Sequence, residues 1–165
     1  MTRVAVLGDT HLPRRARDLP PSAWRLIDSS DLVIHTGDVT DGALLAHISQ
    51  RRPLHTVRGN NDIQLAELPE HLLLDIDGVR VGVVHDSGPA GGRRARLRRL
   101  WPDVRVAVFG HSHIPVCEDD GDLLLLNPGS PTDRRSMPSF TIAVMTLTGG
   151  TAHAEIVDLG LERTS

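Results

Sequence analysis

The chain has no lysine, no tyrosine and a single cysteine, Cys117, and only 2% of its 165 residues are aromatic. Each scarcity removes a class of protein. One thiol cannot build an intrachain disulfide framework, and it fits a reducing cytoplasm. So few aromatics leave the core to Leu, Val, Ile and Ala, and they leave out the stacking platforms that hold single-stranded nucleic acid. No apolar run is long enough to span a membrane. The opening run Val4 to Leu7 stops at Gly8-Asp9, too early for the core of a signal peptide. Excess charge of one sign is missing as well. The net charge is -3 and the pI is near 6.3, which does not suit a nonspecific binder of nucleic acid or anionic membrane.

What is present reads as one domain over residues 1–165, long enough for a packed core. Short Val/Ile/Leu runs end repeatedly in polar or glycine clusters. Val4 to Leu7 ends at Asp9-Thr10-His11, and Leu32 to Ile34 at His35-Thr36-Gly37-Asp38. Leu54 to Val57 ends at Gly59-Asn60-Asn61-Asp62, and Val79 to Val84 at His85-Asp86. Val104 to Phe109 ends at Gly110-His111-Ser112-His113, and Leu123 to Leu126 at Asn127-Pro128-Gly129-Ser130. Such runs predict buried strands. Helical spacing appears over Pro21 to Ser29, over Asp41 to Arg51 behind an Asp N-cap, and over Gly92 to Trp101. Strand–helix alternation predicts a parallel, layered α/β arrangement. The last third, with Val116 to Glu118, Leu123 to Leu126, Phe140 to Leu147 and Thr151 to Val157, predicts antiparallel strands that form a second sheet or extend the first.

In open α/β sheets ligands gather beyond the carboxyl ends of the strands. The residues expected there are Asp9, His11, Asp38, Asn60, His85, His111 and His113. Carboxylate, imidazole and amide oxygen suit divalent metals such as Mn, Fe, Zn, Ni or Mg. Two such ions sit about 3.5–4 Å apart, a span that one carboxylate can bridge. The absence of a cysteine cluster argues against structural zinc.

Taken in order, Asp9-Thr10-His11, Gly37-Asp38, Gly59-Asn60-Asn61-Asp62, His85 and Gly110-His111-Ser112-His113 resemble the calcineurin-like metallophosphoesterases. The short length and Asn127-Pro128-Gly129-Ser130 look like the small prokaryotic phosphodiesterase branch. The resemblance implies an α/β fold in which two mixed sheets form a layered β-sandwich flanked by helices. It implies two divalent ions per subunit, manganese being favoured. One would be held by Asp9, His11 and His113, the other by Asn60, His85 and His111, with Asp38 bridging. It also implies a bridging hydroxide as nucleophile on a small-molecule phosphodiester, with Asp38, Asn60 and His111 as the catalytic residues.

Two positions depart from the family pattern. Many members carry His after the motif Asn, where it protonates the leaving oxygen; Asn61 donates hydrogen bonds but supplies no proton. Gly usually follows the motif His, and here Asp86 does. Asn61, Asp62, Asp86 and Arg134 are therefore read as substrate contacts or as supports for the ligands; for Asp86 the readings are a carboxylate that orients a ligand, a side chain that partly fills the pocket, or a replacement acid, with reduced access or altered substrate choice expected. Blander readings apply elsewhere. His35 is expected to be a hydrogen-bonded core or supporting residue, and His47, His55, His71 and His153 surface or packing residues. Cys117 is expected to pack. The arginines from Arg93 to Arg99 read as a solvated helix face, and Arg134 and Arg135 as an exposed loop that can reach substrate phosphate. The other functional classes are a non-catalytic metal-binding scaffold or protein-interaction module on the same fold and, among enzymes, a phosphomonoesterase or nuclease. A homodimer through C-terminal strand edges is a further expectation.

Overall fold

The structure, a computed structural model, describes residues 1–161. The predicted alternation is there at the start: β1 (Thr2–Leu7), α1 (Pro21–Asp28), β2 (Leu32–His35), α2 (Gly42–Ser49) and β3 (Leu54–Thr56). Next come β4 (His71–Ile76), β5 (Val79–Val84), α3 (Arg93–Leu100), β6 (Val106–Val108), β7 (Val116–Asp119), β8 (Leu124–Asn127), β9 (Thr141–Thr148) and β10 (Thr151–Asp158). Local chemistry sets the helix starts. Pro21 occupies the first turn of α1, and the Asp41 carboxylate accepts the Ala43 N–H at 2.9 Å to cap α2.

Two mixed five-stranded sheets result, in the orders β10-β9-β1-β2-β3 and β4-β5-β6-β8-β7. Strands β1, β2 and β3 run parallel, as do β5, β6 and β8. The C-terminal strands take both expected options: β9 and β10 extend the first sheet antiparallel to β1, while β7 pairs antiparallel with β8 in the second. Strand β4 lies outside the sequence expectations. It is an edge strand with alternating exposure, so only Leu72, Leu74 and Ile76 face the core. It joins β5 through Asp77-Gly78, both at positive φ, the geometry of a two-residue hairpin turn.

Period-2 alternation assigns the two faces of β1. Val4 and Val6 point between the sheets, where they meet Ile34, Met145, Val81, Val83, Val106, Val108 and Leu126. Ala5 and Leu7 point outward under α1 and α2, against Ala23, Ile27, Leu44 and Ile48. On the far side Leu97 and Trp101, in and after α3, cover Ala107, Phe109 and Leu125. This helix–sheet–sheet–helix layering explains the continuous apolar runs, because each central strand is buried on both faces. Much of the arginine run on α3 is structurally committed: Arg96 bonds the Ser87 carbonyl, and Arg98 bonds the Val104 carbonyl and the Asp122 carboxylate. Cys117, expected to pack, is instead exposed on edge strand β7, where its thiol donates to the Ala154 carbonyl of β10 at 3.3 Å.

Candidate metal centre

The parallel strands of both sheets run out on one rim, and the polar clusters that follow them are stitched together there. Asp9 N–H donates to the Gly37 carbonyl and His11 N–H to the Asp38 carbonyl, each at 3.0 Å; Gly110 N–H donates to the His85 carbonyl at 2.9 Å. Asp9, His11, Asp38, His111 and His113 all have positive φ. That region disfavours residues with a side chain, so packing and hydrogen bonds must hold these turns against local preference.

Three side chains buried beneath the rim do the holding. The Asp62 carboxylate accepts N–H from Asp38 at 2.8 Å, Gly59 at 2.7 Å and Thr40 at 2.8 Å, tying the turn after β2 to the turn after β3. Of the two roles expected for Asp62, the structure gives it support of the turns. His35 Nδ1 accepts the Gly37 N–H at 3.1 Å, which leaves the ring proton on Nε2 to reach Thr10 Oγ1 at 3.2 Å. Burial depresses the His35 pKa from 6.5 to about 3, with His85 adding to the effect, so the ring is neutral. Ser130 Oγ donates to the Asp9 carbonyl at 2.8 Å, fastening the loop after β8 beneath the turn after β1. Close approach completes the assembly. A Cβ on Gly59 would lie 2.2 Å from both the backbone nitrogen and Oδ1 of Asp38.

Above this floor the seven expected ligand residues converge. The Asp38 carboxylate lies between two groups, with Oδ2 3.6 Å from His11 Nε2 and Oδ1 3.5 Å from His85 Nε2. On one side, Asp9, His11 and His113 each offer an atom within 4.8 Å of the others, and the two Nε2 atoms face each other at 3.3 Å. Asp9, Asp38 and His85 also meet within that limit. On the other side, Asn60 Oδ1 is 3.0 Å from both His85 Nε2 and His111 Nδ1, and those two nitrogens are 3.3 Å apart.

The protons decide what such contacts mean. His85 Nδ1 donates to the Thr36 carbonyl at 2.8 Å and His113 Nδ1 to the Asp133 carbonyl at 2.6 Å. In the neutral rings both Nε2 lone pairs therefore face the cavity. Burial depresses His113 to about 4 and lowers His11, so neither imidazole is charged at neutral pH. Asp9 Oδ2 is buried with no hydrogen-bond partner. Burial, reinforced by the charge of Asp38, raises the Asp9 pKa well above the usual carboxylate range. Burial would also raise Asp38, but His85, two hydrogen bonds from Asn61 and His11 outweigh it and leave that pKa lowered. Nitrogen and oxygen atoms able to act as ligands thus crowd together on both sides of Asp38, and a cation satisfies such a cluster. The donor set, nitrogen and oxygen without sulfur, fits divalent metal ions.

The remaining expected residues spread around this centre. Asn61 does not reach outward; its backbone and side-chain N–H groups clasp Asp38 at 2.8 and 2.7 Å. Asp86 is exposed at the rim, 3.9 Å from His111 Nε2, the nitrogen that faces away from Asn60. Arg134 turns back to the Met137 carbonyl, whereas Arg135 acts electrostatically on Asp9, His11 and His113. Asp133 had no sequence signal beyond its place in a polar loop; its part is played by a backbone carbonyl that any residue carries.

Comparison with known proteins agrees with this geometry. Residues 2–150 match the model of the calcineurin-like phosphoesterase superfamily domain. A Methanocaldococcus jannaschii protein named probable metallophosphoesterase is 40% identical over 132 residues, covering 78% of this chain and 68% of that one. A Methanothermobacter thermautotrophicus protein of the same description is 34% identical over 160 residues, covering 95% and 92%. Among solved structures, Vps29 of Chaetomium thermophilum superposes with a TM-score of 0.80 at 22% identity, over 99% of this chain and 100% of that one, a likeness of fold. On the family model, the archaeal relatives and the order of its motifs, the chain belongs to the calcineurin-like phosphoesterase superfamily.

Proposed function

We propose that the protein is a two-metal phosphodiesterase. The observation that carries this reading is the placement of Asp38, whose two carboxylate oxygens face imidazoles of opposite groups, His11 and His85. Asp9, His11 and His113 would hold one ion, Asn60, His85 and His111 the other, and Asp38 would belong to both. Divalent ions, manganese in the favoured case, supply there a water acidified toward neutral pH and positive charge for the phosphoryl oxygens. The protein's own part is positional. Asn61 holds the Asp38 carboxylate in place with its two N–H groups. His111, with Nδ1 turned toward Asn60 and His85, presents Nε2–H at the exposed rim, where it can donate to a phosphoryl oxygen. Asp86 lies 3.9 Å from that same nitrogen, beyond hydrogen-bond distance, and places a negative charge at the mouth of the site.

The missing proton donor sets a leaving-group preference. Asn61 cannot protonate a departing oxygen, which favours substrates whose leaving group departs as a stable anion. With one exposed thiol and no described helix long and apolar enough to cross a membrane, we place this activity in the cytoplasm. The test is purified protein with Mn²⁺ on an aryl phosphodiester and the matching monoester. Turnover of the diester, its loss in chelator, and a fall of at least about 10³-fold in Asp38→Ala or His111→Ala are expected. A chain inert on both esters with Mn²⁺, Zn²⁺, Ni²⁺ and Mg²⁺ contradicts the reading. It would point to the second one, a metal-holding protein-interaction module, which Asn61 at the place of a proton donor favours.

A further inference from the structure

Beside the metal centre lies a groove of about 240 Å³ lined by Arg14, Arg15, Thr132, Asp133, Arg134 and Arg135. Four guanidinium groups face one carboxylate there, on a chain whose net charge is -3. Asp133 is already engaged. Its carboxylate forms an ion pair with Arg15 at 3.2 Å and stands 3.8 Å from His113 Nδ1. Arg134 is anchored on the Met137 carbonyl. Arg14 and Arg135 make no hydrogen bond or ion pair among the described residues. Unpaired guanidiniums crowded into one depression repel each other and gain most from an anion with several oxygens, which they bind as a fork.

The groove is built from the same turns as the metal centre. Arg15 N–H donates to the His11 carbonyl at 3.1 Å, and the Asp133 carbonyl holds the His113 ring at 2.6 Å. Thr132 Oγ1 bonds the Thr10 carbonyl at 2.6 Å, so the two groove walls are pinned together directly behind the Asp9–His11 turn. Arg14 also borders a second depression, lined by Pro13, Thr40, Asp41, Asn61, Ile63 and Gln64, and so stands between the groove and Asn61.

We propose that this groove is an anion subsite of the same active centre, and that the substrate is a phosphodiester carrying a second phosphate group, which Arg14 and Arg135 receive while the scissile phosphorus lies at Asp38. The proposal rests on the phosphoesterase reading of the metal centre. That reading alone leaves the substrate a simple diester; the groove makes it an ester with two phosphates.

Two measurements decide it. In the first, metal-free protein is titrated with inorganic pyrophosphate in a calorimeter. Arg14→Ala/Arg135→Ala should weaken binding at least tenfold. Arg25→Ala/Arg99→Ala, which removes the same charge from exposed positions on α1 and α3, should weaken it less than threefold. In the second, the Mn²⁺-loaded protein is given the p-nitrophenyl ester of thymidine 5′-phosphate, with or without a 3′-phosphate. The 3′-phosphorylated ester should be preferred at least tenfold in kcat/KM, mainly through KM. Arg14→Ala alone, which leaves the field of Arg135 on Asp9 and His113 in place, should cut that preference at least threefold. Equal pyrophosphate binding by wild type and the groove double variant, equal losses in both double variants, or no preference for the 3′-phosphorylated ester each overturn the proposal. If neither ester is hydrolysed, the phosphoesterase reading fails, and the pyrophosphate titration still decides whether the groove binds phosphate.

Discussion

A buried imidazole that must stay neutral makes this site sensitive to acid. His35 accepts the Gly37 N–H through Nδ1, and protonation would turn that acceptor into a donor. Its pKa is depressed from 6.5 to about 3, so between these values the unfolded chain binds a proton that the folded chain does not. The contribution is fully present above pH 6.5 and is lost as pH falls toward 3. From this ring alone, metal-free protein should lose about 2 kcal/mol between pH 7 and pH 5, measured by urea unfolding, and His35→Gln should flatten that slope. At Asn61 the expectation concerns chemistry. Asn61→His should raise turnover of diesters with poor, alkoxide-like leaving groups relative to aryl esters by at least about tenfold, read as a shallower dependence of kcat on leaving-group pKa. No change in that dependence would remove Asn61 from the account of leaving-group preference. Gly59→Ala places a carbon 2.2 Å from the Asp38 nitrogen and Oδ1; loss of metal binding, seen by calorimetry, is expected even where the chain still folds.

The turn clamp and the strand ends belong to the scale of elements. Asp62 joins the turns after β2 and β3 through three backbone N–H groups, and Asp62→Ala leaves all three without that acceptor. A stability loss of about 3 kcal/mol is expected in denaturant unfolding, because each stranded buried N–H costs on the order of 1 kcal/mol or more. The central strands were legible in the sequence because burial on both faces favours continuous apolar runs, as in Leu124–Leu126 of β8. Strand β4 was not. An edge strand buries one face only, so His71–Ile76 alternates and shows no such run, although its Asp77-Gly78 turn carried the hairpin signal. The residues now grouped around Asp38 were legible for a related reason. A side chain at the C-terminal end of a parallel strand is delivered to the rim by the fold itself, so motif order stood in for geometry. Supports such as the Asp133 carbonyl, and the opposite turns of Arg134 and Arg135, depend on backbone groups and loop conformation, which leave little trace in residue type.

For the molecule as a whole, metal and fold are linked. Depressed pKa values keep His11 and His113 neutral and ready to bind, while burial and Asp38 raise the pKa of Asp9, so that protons compete with a cation for its carboxylate more strongly than for an ordinary one. Metal affinity should therefore fall as pH is lowered, with proton release on binding that calorimetry in buffers of different ionisation enthalpy can count. An ion present at about 100 times its Kd adds about 2.7 kcal/mol, so chelator should lower Tm by roughly 5–10 °C. All of this depends on Asp38 being shared by two cations. Anomalous diffraction from crystals equilibrated with Mn²⁺ tests that directly. Two peaks should flank the Asp38 carboxylate, one beside Asp9, His11 and His113 and the other beside Asn60, His85 and His111. A single peak, or none within reach of Asp38, would contradict the two-metal centre and the hydrolysis built on it.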